Sequence, residues 1–299
     1  MSAFDAYLMV DWSGASVPVR GADSIWIAHG KRNGRGLEIR EPLNAPTRAL
    51  AVAHLADVID THIAAGERVL VGFDFAFGYP AGFARALRLR GTAPAWRRTW
   101  AALAELVTDN DDNTNNRFRV AATLNRRLGR RGGPFWNCPA RAVEAALTMT
   151  RPAFPYRVHP ARSLSEYREA DRRLRASGRF VQSVWKLYTP GSVGSQTLLG
   201  IPRVAALRFD ARRAEVSRVW PFEATSAGRQ RPFVLHVEIW PGMVPLEQTL
   251  HPVKDAAQVL TMVRSLGARD AGGELLATLD RPRRLASTVL GEEGWILGA

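Results

Sequence analysis

Acidic residues end several of the most apolar segments of this sequence. Asp11 closes the segment FDAYLMVD, Asp74 closes ERVLVGFD, and Glu238 follows the segment FVLHV. Asp255 comes soon after the third segment, near the start of the helical pattern VKDAAQVLTMVRSLG. Carboxylates that converge repel one another unless a cation neutralises them, and Mg²⁺ and Mn²⁺ prefer oxygen ligands. The set therefore predicts a site for Mg²⁺ or Mn²⁺, with Asp11, Asp74 and Asp255 as ligands.

Such a metal site favours phosphodiester chemistry, because two ions about 4 Å apart can stabilise the attacking and leaving oxygens together. The alternative is that each acid caps a turn or a neighbouring helix. That alternative is weaker for Asp11, which precedes Trp-Ser-Gly, and for Asp74, which lies between two phenylalanines. Glu238 could instead orient an arginine or a lysine.

A glycine-rich segment, GSVGSQ, forms a second candidate site. Gly191 and Gly194 lie between the apolar segment VQSVWKLY and an apolar helical pattern, where free N–H groups at a helix start would suit a phosphate. Ser195 and Gln196 follow in the first turn, and Lys186 precedes the loop on a predicted strand. The Walker order of glycines, lysine and serine is absent. A tight turn in which serine caps the helix is the alternative.

The segment DNDDNTNNRF is rich in asparagine and aspartate. It lacks the central glycine and the terminal glutamate of an EF-hand, so a calcium loop of that type is excluded. Asn116 and Arg117 could bind a sugar or phosphate edge, although an asparagine-rich turn would explain the same composition. Zinc-ligand spacings and a nucleophilic-serine elbow are both absent from the sequence.

The elements that must position these residues follow from hydrophobic periodicity and turn residues. In chain order they are a strand over 4–12, a hairpin over 23–42, a helix over 48–65 that Thr47 caps, a strand over 67–75 and a helix near 81–90. A third buried strand over 231–241 precedes the helix that carries Asp255. A parallel pair joined by a helical crossover needs both faces covered. We therefore predict an α/β fold, with Asp11 and Asp74 at the carboxyl ends of the strands, where such sheets bind ligands.

The middle of the chain is less regular. Helical patterns cover WRRTWAALAELVTD, RVAATLNRRLG and SLSEYREADRRLRASG, the last with Ser163 as a predicted cap. We expect residues 91–180 to form an insertion that covers the first half, and residues 1–90 and 181–299 to form the core of one compact domain. Within this arrangement VQSVWKLY is predicted to be a strand.

Composition sets broad limits on partners. The 299 residues carry a formal net charge of +13, and lysine occurs only three times, so most of the basic residues are arginines. A basic surface attracts phosphate backbones, although arginine-biased composition alone would produce the same charge. No apolar run approaches the roughly 20 residues that span a bilayer. The N-terminal residues lack a basic leader, and the single cysteine, Cys138, cannot form an internal disulfide, so we expect a cytoplasmic protein without a membrane partner.

Taken together, the motifs VDWSGAS, GFDFAFGYPAGF, NNRF, GSVGSQTLLGIP and VEIWP resemble those of a bacterial family of predicted nucleases related to the DUF429 group, within the RNase H-like superfamily. The resemblance extends from about residue 7 to 265. It implies an RNase H-like mixed sheet flanked by helices, with a helical and loop insertion. It also implies metal-dependent phosphodiester cleavage by Asp11, Asp74 and Asp255. Relatives carry a further acid on the first helix, whereas neither Asp57 nor Asp60 matches that position.

Three functions are consistent with these observations. The first is a metal-dependent nuclease or phosphodiesterase that acts on nucleic acid or on a nucleotide-like phosphodiester. The second is a nucleotide-binding phosphotransferase or ATPase of the same superfamily, with the loop 191–196 holding phosphates. The third is a non-catalytic binding protein, because fold alone does not determine the reaction.

Overall fold

The computed structural model describes residues 2–34, 36–129, 132–159, 162–189, 191–224, 231–280 and 285–299. Its strands are β1 (Ala6–Asp11), β2 (Ile25–Asn33), β3 (Gly36–Ile39), β4 (Leu43–Ala45), β5 (Arg68–Phe73), β6 (Tyr156–His159), β7 (Arg162–Leu164), β8 (Ser217–Val219) and β9 (Phe233–Glu238). Within these ranges a seven-stranded sheet has the order β3-β2-β1-β5-β9-β8, with β4 paired to β2. The strands β1, β5, β9 and β8 run parallel, and β2 runs antiparallel to β1. The protein is therefore α/β with a mixed sheet.

The helices are α1 (Arg48–Ala64), α2 (Phe83–Ala86), α3 (Ala95–Leu106), α4 (Arg117–Leu128), α5 (Glu169–Ala176), α6 (Val193–Phe209), α7 (Lys254–Ala271) and α8 (Glu274–Leu279). Helix α1 begins as the sequence predicts, because the Thr47 side chain accepts a hydrogen bond from the Leu50 N–H. None of the helices in the described ranges is long and apolar enough to cross a membrane.

Hydrophobic cores cover both faces of the sheet. Alternate residues of β1 point to opposite faces, so Leu8 and Val10 join a core with α1, α3, α4 and α6, while Tyr7 and Met9 join a core with α7 and α8. The strand AYLMVD is continuously apolar up to its final aspartate because β1 is buried on both faces. The carboxyl ends of the parallel strands lie between these two cores, at one end of the sheet.

Region 91–180 contributes directly to the first core through Trp100, Val120 and Leu124. Two local predictions in and beside this region are wrong. Ser163 does not cap a helix, because residues 162–164 form β7, which pairs with β6, and α5 begins only at Glu169. The segment VQSVWKLY contains a turn and a single bridge from Lys186 to Trp136 rather than a strand. Val184, Trp185 and Leu187 of this segment are buried by packing into the core instead of by sheet pairing.

Candidate functional site

The parallel register of β1 and β5 sets Asp11 beside Asp74. Val10 pairs with Phe73, and the N–H of Asp74 donates to the Val10 carbonyl at 3.2 Å. Asp11 and Asp74 come next along the chain, and both follow residues that face the core containing α1 and α6. Because alternate residues share a face, the two carboxyl groups lie on the same face at the carboxyl edge. The sequence prediction that these two acids converge is confirmed.

The two carboxyl groups share a hydrogen bond, and the N–H of Trp12 donates to Asp74 Oδ1 at 2.7 Å. Burial raises the pKa of Asp11 well above its usual value, and the charges of Asp74, Asp255 and Asp23 raise it further. Burial also raises the pKa of Asp74 to about 6, with a further increase from Asp255, although hydrogen bonds from Asp11 and Trp12 oppose it. Two adjacent carboxyl groups repel each other when both are ionised, so the pair favours keeping a proton unless a cation neutralises it.

Asp255 lies in the first turn of α7 and faces the same space. Its Oδ2 accepts a hydrogen bond from the backbone N–H of Asp23 at 2.8 Å. Asp11, Asp23 and Asp255 line one cleft of about 750 Å³, which we call the acidic cleft. Asp11 and Asp255 therefore meet in one cleft, as expected, whereas Asp74 adjoins Asp11 but lines a neighbouring cavity.

The opposite side of the acidic cleft carries positive charge and amide groups. Arg117 is buried, and its guanidinium donates to Ser195 Oγ at 2.9 Å and to Ser16 Oγ at 2.7 Å. Burial, together with the nearby Arg48 and Arg141, lowers the pKa of Arg117 to about 10, so it stays charged at neutral pH. The cleft can therefore attract an anion to the side that faces the carboxylates.

Buried hydrogen bonds fix the loop that follows β1. The Arg48 guanidinium donates to the carbonyls of Ser13 at 3.0 Å and Ala15 at 2.8 Å, and it also pairs with Asp109. The Gln196 side-chain amide donates to the Trp12 carbonyl. These contacts hold the backbone beside Asp11, so Gln196, a predicted ligand-binding residue, has a positioning role in this structure.

The glycine loop is only partly arranged as the sequence suggested. Gly191 has φ of +73°, which suits glycine, and it lines the acidic cleft. Gly194 packs against the preceding turn, since a Cβ there would lie 2.5 Å from the Lys186 carbonyl oxygen. Its N–H donates to that same carbonyl at 2.9 Å, so it is not free for a phosphate. Lys186 is not on a strand, and as far as the chain is described the cleft lining does not include it.

Glu238 faces away from the carboxyl pair. In the parallel register of β5 and β9 it pairs with Phe73, not with Asp74, and the pleat therefore turns it to the other face. Its oxygens accept two hydrogen bonds from the buried Arg168 at 2.6 and 2.7 Å and one from the Phe77 N–H at 2.9 Å. These contacts agree with the alternative in which Glu238 orients an arginine. They do not agree with a site in which Glu238 acts directly with Asp11 and Asp74.

The remaining acidic and polar candidates have structural partners. Asn116 precedes α4, and its side chain bonds to the Thr108 N–H and the Leu106 carbonyl, both at 2.9 Å. Its contacts therefore fit an asparagine-rich turn. On α1, Asp60 forms an ion pair with Arg213 at 2.6 Å, and Asp57 is exposed. Neither supplies a further acid to the cleft.

The donor chemistry of the cleft fits a hard divalent cation, but the side chains are not gathered around one. Within the described part of the chain, no group of three or more His, Cys, Asp or Glu side chains is close enough to hold a metal ion. The raised pKa values of Asp11 and Asp74 mean that protons compete with a cation for this pair. A cation would have to displace protons from the pair, because carboxylates bind a metal in their deprotonated form.

Asp23, Lys254 and Gln258 are among the cleft residues that the sequence analysis missed. Asp23 precedes the hairpin strand β2, and nothing in the neighbouring sequence marks it as a site residue. It reaches the cleft through the hydrogen bond from its backbone N–H to Asp255. Lys254 could have been found. Lysine is rare in this chain, and Lys254 directly precedes Asp255.

Comparisons with known proteins add no further constraint. No protein-family model matches the chain, and no curated protein or solved structure matches it either. The case for a function therefore depends on the geometry and charge of the acidic cleft.

Proposed function

We propose that this protein is a Mg²⁺- or Mn²⁺-dependent nuclease or phosphodiesterase whose active site is the acidic cleft. The observation that carries the proposal is the hydrogen-bonded Asp11–Asp74 pair at the carboxyl edge of the sheet, in which the pKa of both groups is raised. Strongly perturbed carboxyl groups in a cleft are typical of functional sites. A buried pair that lacks a neutralising charge is also the arrangement that gains most from a cation.

The fold supports the resemblance to RNase H-like nucleases. An aspartate ends the central strand β1, the hairpin β2–β3 lies beside it, and β5 follows α1 as a parallel neighbour. Helix α7, which follows β9, brings Asp255 to the same edge. We therefore propose that the chain is a member of this superfamily and is related to the DUF429 group.

Asp11, Asp74 and Asp255 would hold the metal. When bound, Mg²⁺ or Mn²⁺ would activate water and neutralise charge on the phosphate. Arg117 would hold a phosphate oxygen from the opposite side, with Ser195 and Ser16 fixing its guanidinium. Lys254, which is exposed at the rim, would attract the substrate.

The basic surface favours nucleic acid over a small uncharged substrate. A hollow of about 570 Å³ includes Arg119 and Arg141 beside the asparagine-rich loop that leads to Arg117. With the net charge of +13, these arginines would extend the electrostatic attraction beyond the cleft.

The phosphotransferase alternative is less well supported. It requires the loop 191–196 to present free N–H groups to a nucleotide phosphate, and the N–H of Gly194 already donates to Lys186. If that alternative were correct, ATP with Mg²⁺ would raise the melting temperature, because a ligand that binds only the native state stabilises it.

The test compares Asp74→Asn with Asp57→Asn, the same substitution at an exposed position of α1. Cleavage of labelled single-stranded and duplex oligonucleotides would be followed with Mg²⁺, with Mn²⁺ and with EDTA. We expect metal-dependent cleavage by wild type and by Asp57→Asn, and none by Asp74→Asn. Metal should also raise the melting temperature of wild type but not of Asp74→Asn. Full cleavage by Asp74→Asn would refute the proposed site, and stability shifts with ATP but no cleavage would favour the phosphotransferase.

A further inference from the structure

A second cavity adjoins the acidic cleft at the carboxyl pair. It has a volume of about 360 Å³, within the range of small-molecule sites. Asp74 lines this cavity, whereas its partner Asp11 lines the acidic cleft, and Gly191 lines both. A molecule whose phosphate lies beside the carboxyl pair could therefore place a neighbouring group in this cavity, which we call the aromatic pocket.

Within the described residues, three aromatic side chains line this cavity. Phe75 is buried in the core, Trp240 is partly buried, and Phe180 is 76% exposed. The exposed ring of Phe180 is accessible at the edge of the cavity, next to the candidate site. Flat aromatic surfaces of this kind suit stacking with a ring.

The polar groups of the aromatic pocket favour an uncharged ring over a second phosphate. Arg168 borders the pocket, but its guanidinium donates to Glu238 at 2.6 Å and to Asp171 at 2.9 Å, so its charge is already neutralised. Gln182 also lines the pocket, with Nε2 3.9 Å from the position of a Cβ built on Gly191. Its amide offers a donor and an acceptor, the combination that pairs with the edge of a base.

We propose that the aromatic pocket binds the base of a nucleotide whose phosphate lies in the acidic cleft. This inference rests on the proposed function and makes its substrate class specific. A base stacked and paired in a duplex cannot enter a pocket, so the substrate is an unpaired strand or a base turned out of the helix. Phe180 and Trp240 stack on the ring, and Gln182 contacts its edge.

The experiment measures binding in EDTA, so that no strand is cleaved. The probes are a fluorescent single-stranded oligonucleotide, the same strand with consecutive abasic sites, and a duplex of the same sequence. Wild type should bind the normal strand about 10-fold more tightly than the abasic strand, as expected when one or two bases stack on aromatic side chains. Phe180→Ala should remove most of this difference without weakening binding of the abasic strand. The control Met149→Ala, at an exposed apolar residue that lines neither cavity, should retain the difference.

Gln182→Ala provides an independent readout. It should reduce discrimination among single-base homopolymers of equal length, while affinity for the abasic strand stays constant. Equal affinity of wild type for the normal and abasic strands would overturn the base-binding inference, as would duplex binding as tight as that of the single strand. Neither result would affect the proposed function if Asp74→Asn still abolished cleavage. Metal-dependent cleavage that survives Asp74→Asn would instead overturn the proposed function, whatever the base preference.

Discussion

Asp74→Asn should stabilise the folded protein at alkaline pH even though it removes activity. In the folded state Asp74 titrates with a pKa of about 6, against a usual value of 3.8. One pKa unit corresponds to about 1.4 kcal/mol, so ionising Asp74 in the folded state costs on the order of 3 kcal/mol more than in the unfolded chain. Asparagine has no such cost, and its side-chain oxygen can still accept the hydrogen bond from the Trp12 N–H.

The sign of this effect depends on pH. Above about pH 6 wild-type Asp74 is charged in both states, and the full penalty lowers the free energy of unfolding. As the pH falls from about 6 towards 3.8, the folded state binds a proton that the unfolded state does not, so the penalty disappears. The stability gained by Asp74→Asn should therefore be largest near pH 8 and small near pH 4.

Urea unfolding without metal measures this difference at both pH values, with Asp57→Asn as the matched control. We expect a higher midpoint for Asp74→Asn at pH 8 with an unchanged slope, and coincident curves near pH 4. A gain of equal size at both pH values would mean that charge is not its cause. A loss of stability at pH 8 would refute the conclusion that the Asp11–Asp74 pair lacks a neutralising charge.

Two further predictions concern groups outside the carboxyl pair. Arg168→Met should lower the free energy of unfolding by about 3–5 kcal/mol, because it leaves Glu238 and Asp171 buried without their counter-charge; denaturant unfolding near wild-type stability would contradict this. Burial and the nearby His62 lower the pKa of His29 in the folded state to about 4, against a usual value of 6.5. As the pH falls from 6.5 to about 4, the unfolded state therefore binds this proton first, and the free energy of unfolding should fall. In an Asp74→Asn background, which removes one opposing titration, His29→Gln should weaken this pH dependence of the melting temperature, and an unchanged slope would exclude a contribution from His29.

Much of the architecture could be predicted because its signals are local. Thr47 caps α1 through a hydrogen bond to a residue three positions along the chain, and continuous apolar runs identify strands that are buried on both faces. Asp11 and Asp74 could be paired in advance for a general reason: parallel neighbouring strands end at the same edge of a sheet. The structure of the segment around Ser163 could not be predicted from local signals. Its charged residues follow a helical pattern, whereas in the folded protein the segment pairs with β6.

The sequence by itself determined that acids end the central strands, but not which of them share a face. Glu238 lies at the end of β9, much as Asp74 lies directly after β5. However, Glu238 pairs with Phe73 in the strand register, and its side chain therefore turns towards Arg168. Likewise, the rarity of lysine does not distinguish Lys186 from Lys254, and only the packing of α7 brings Lys254 to the cleft. Strand register and helix packing depend on contacts between segments far apart in the chain, and because side chains alternate along a strand, a shift of one residue moves a carboxylate to the opposite face.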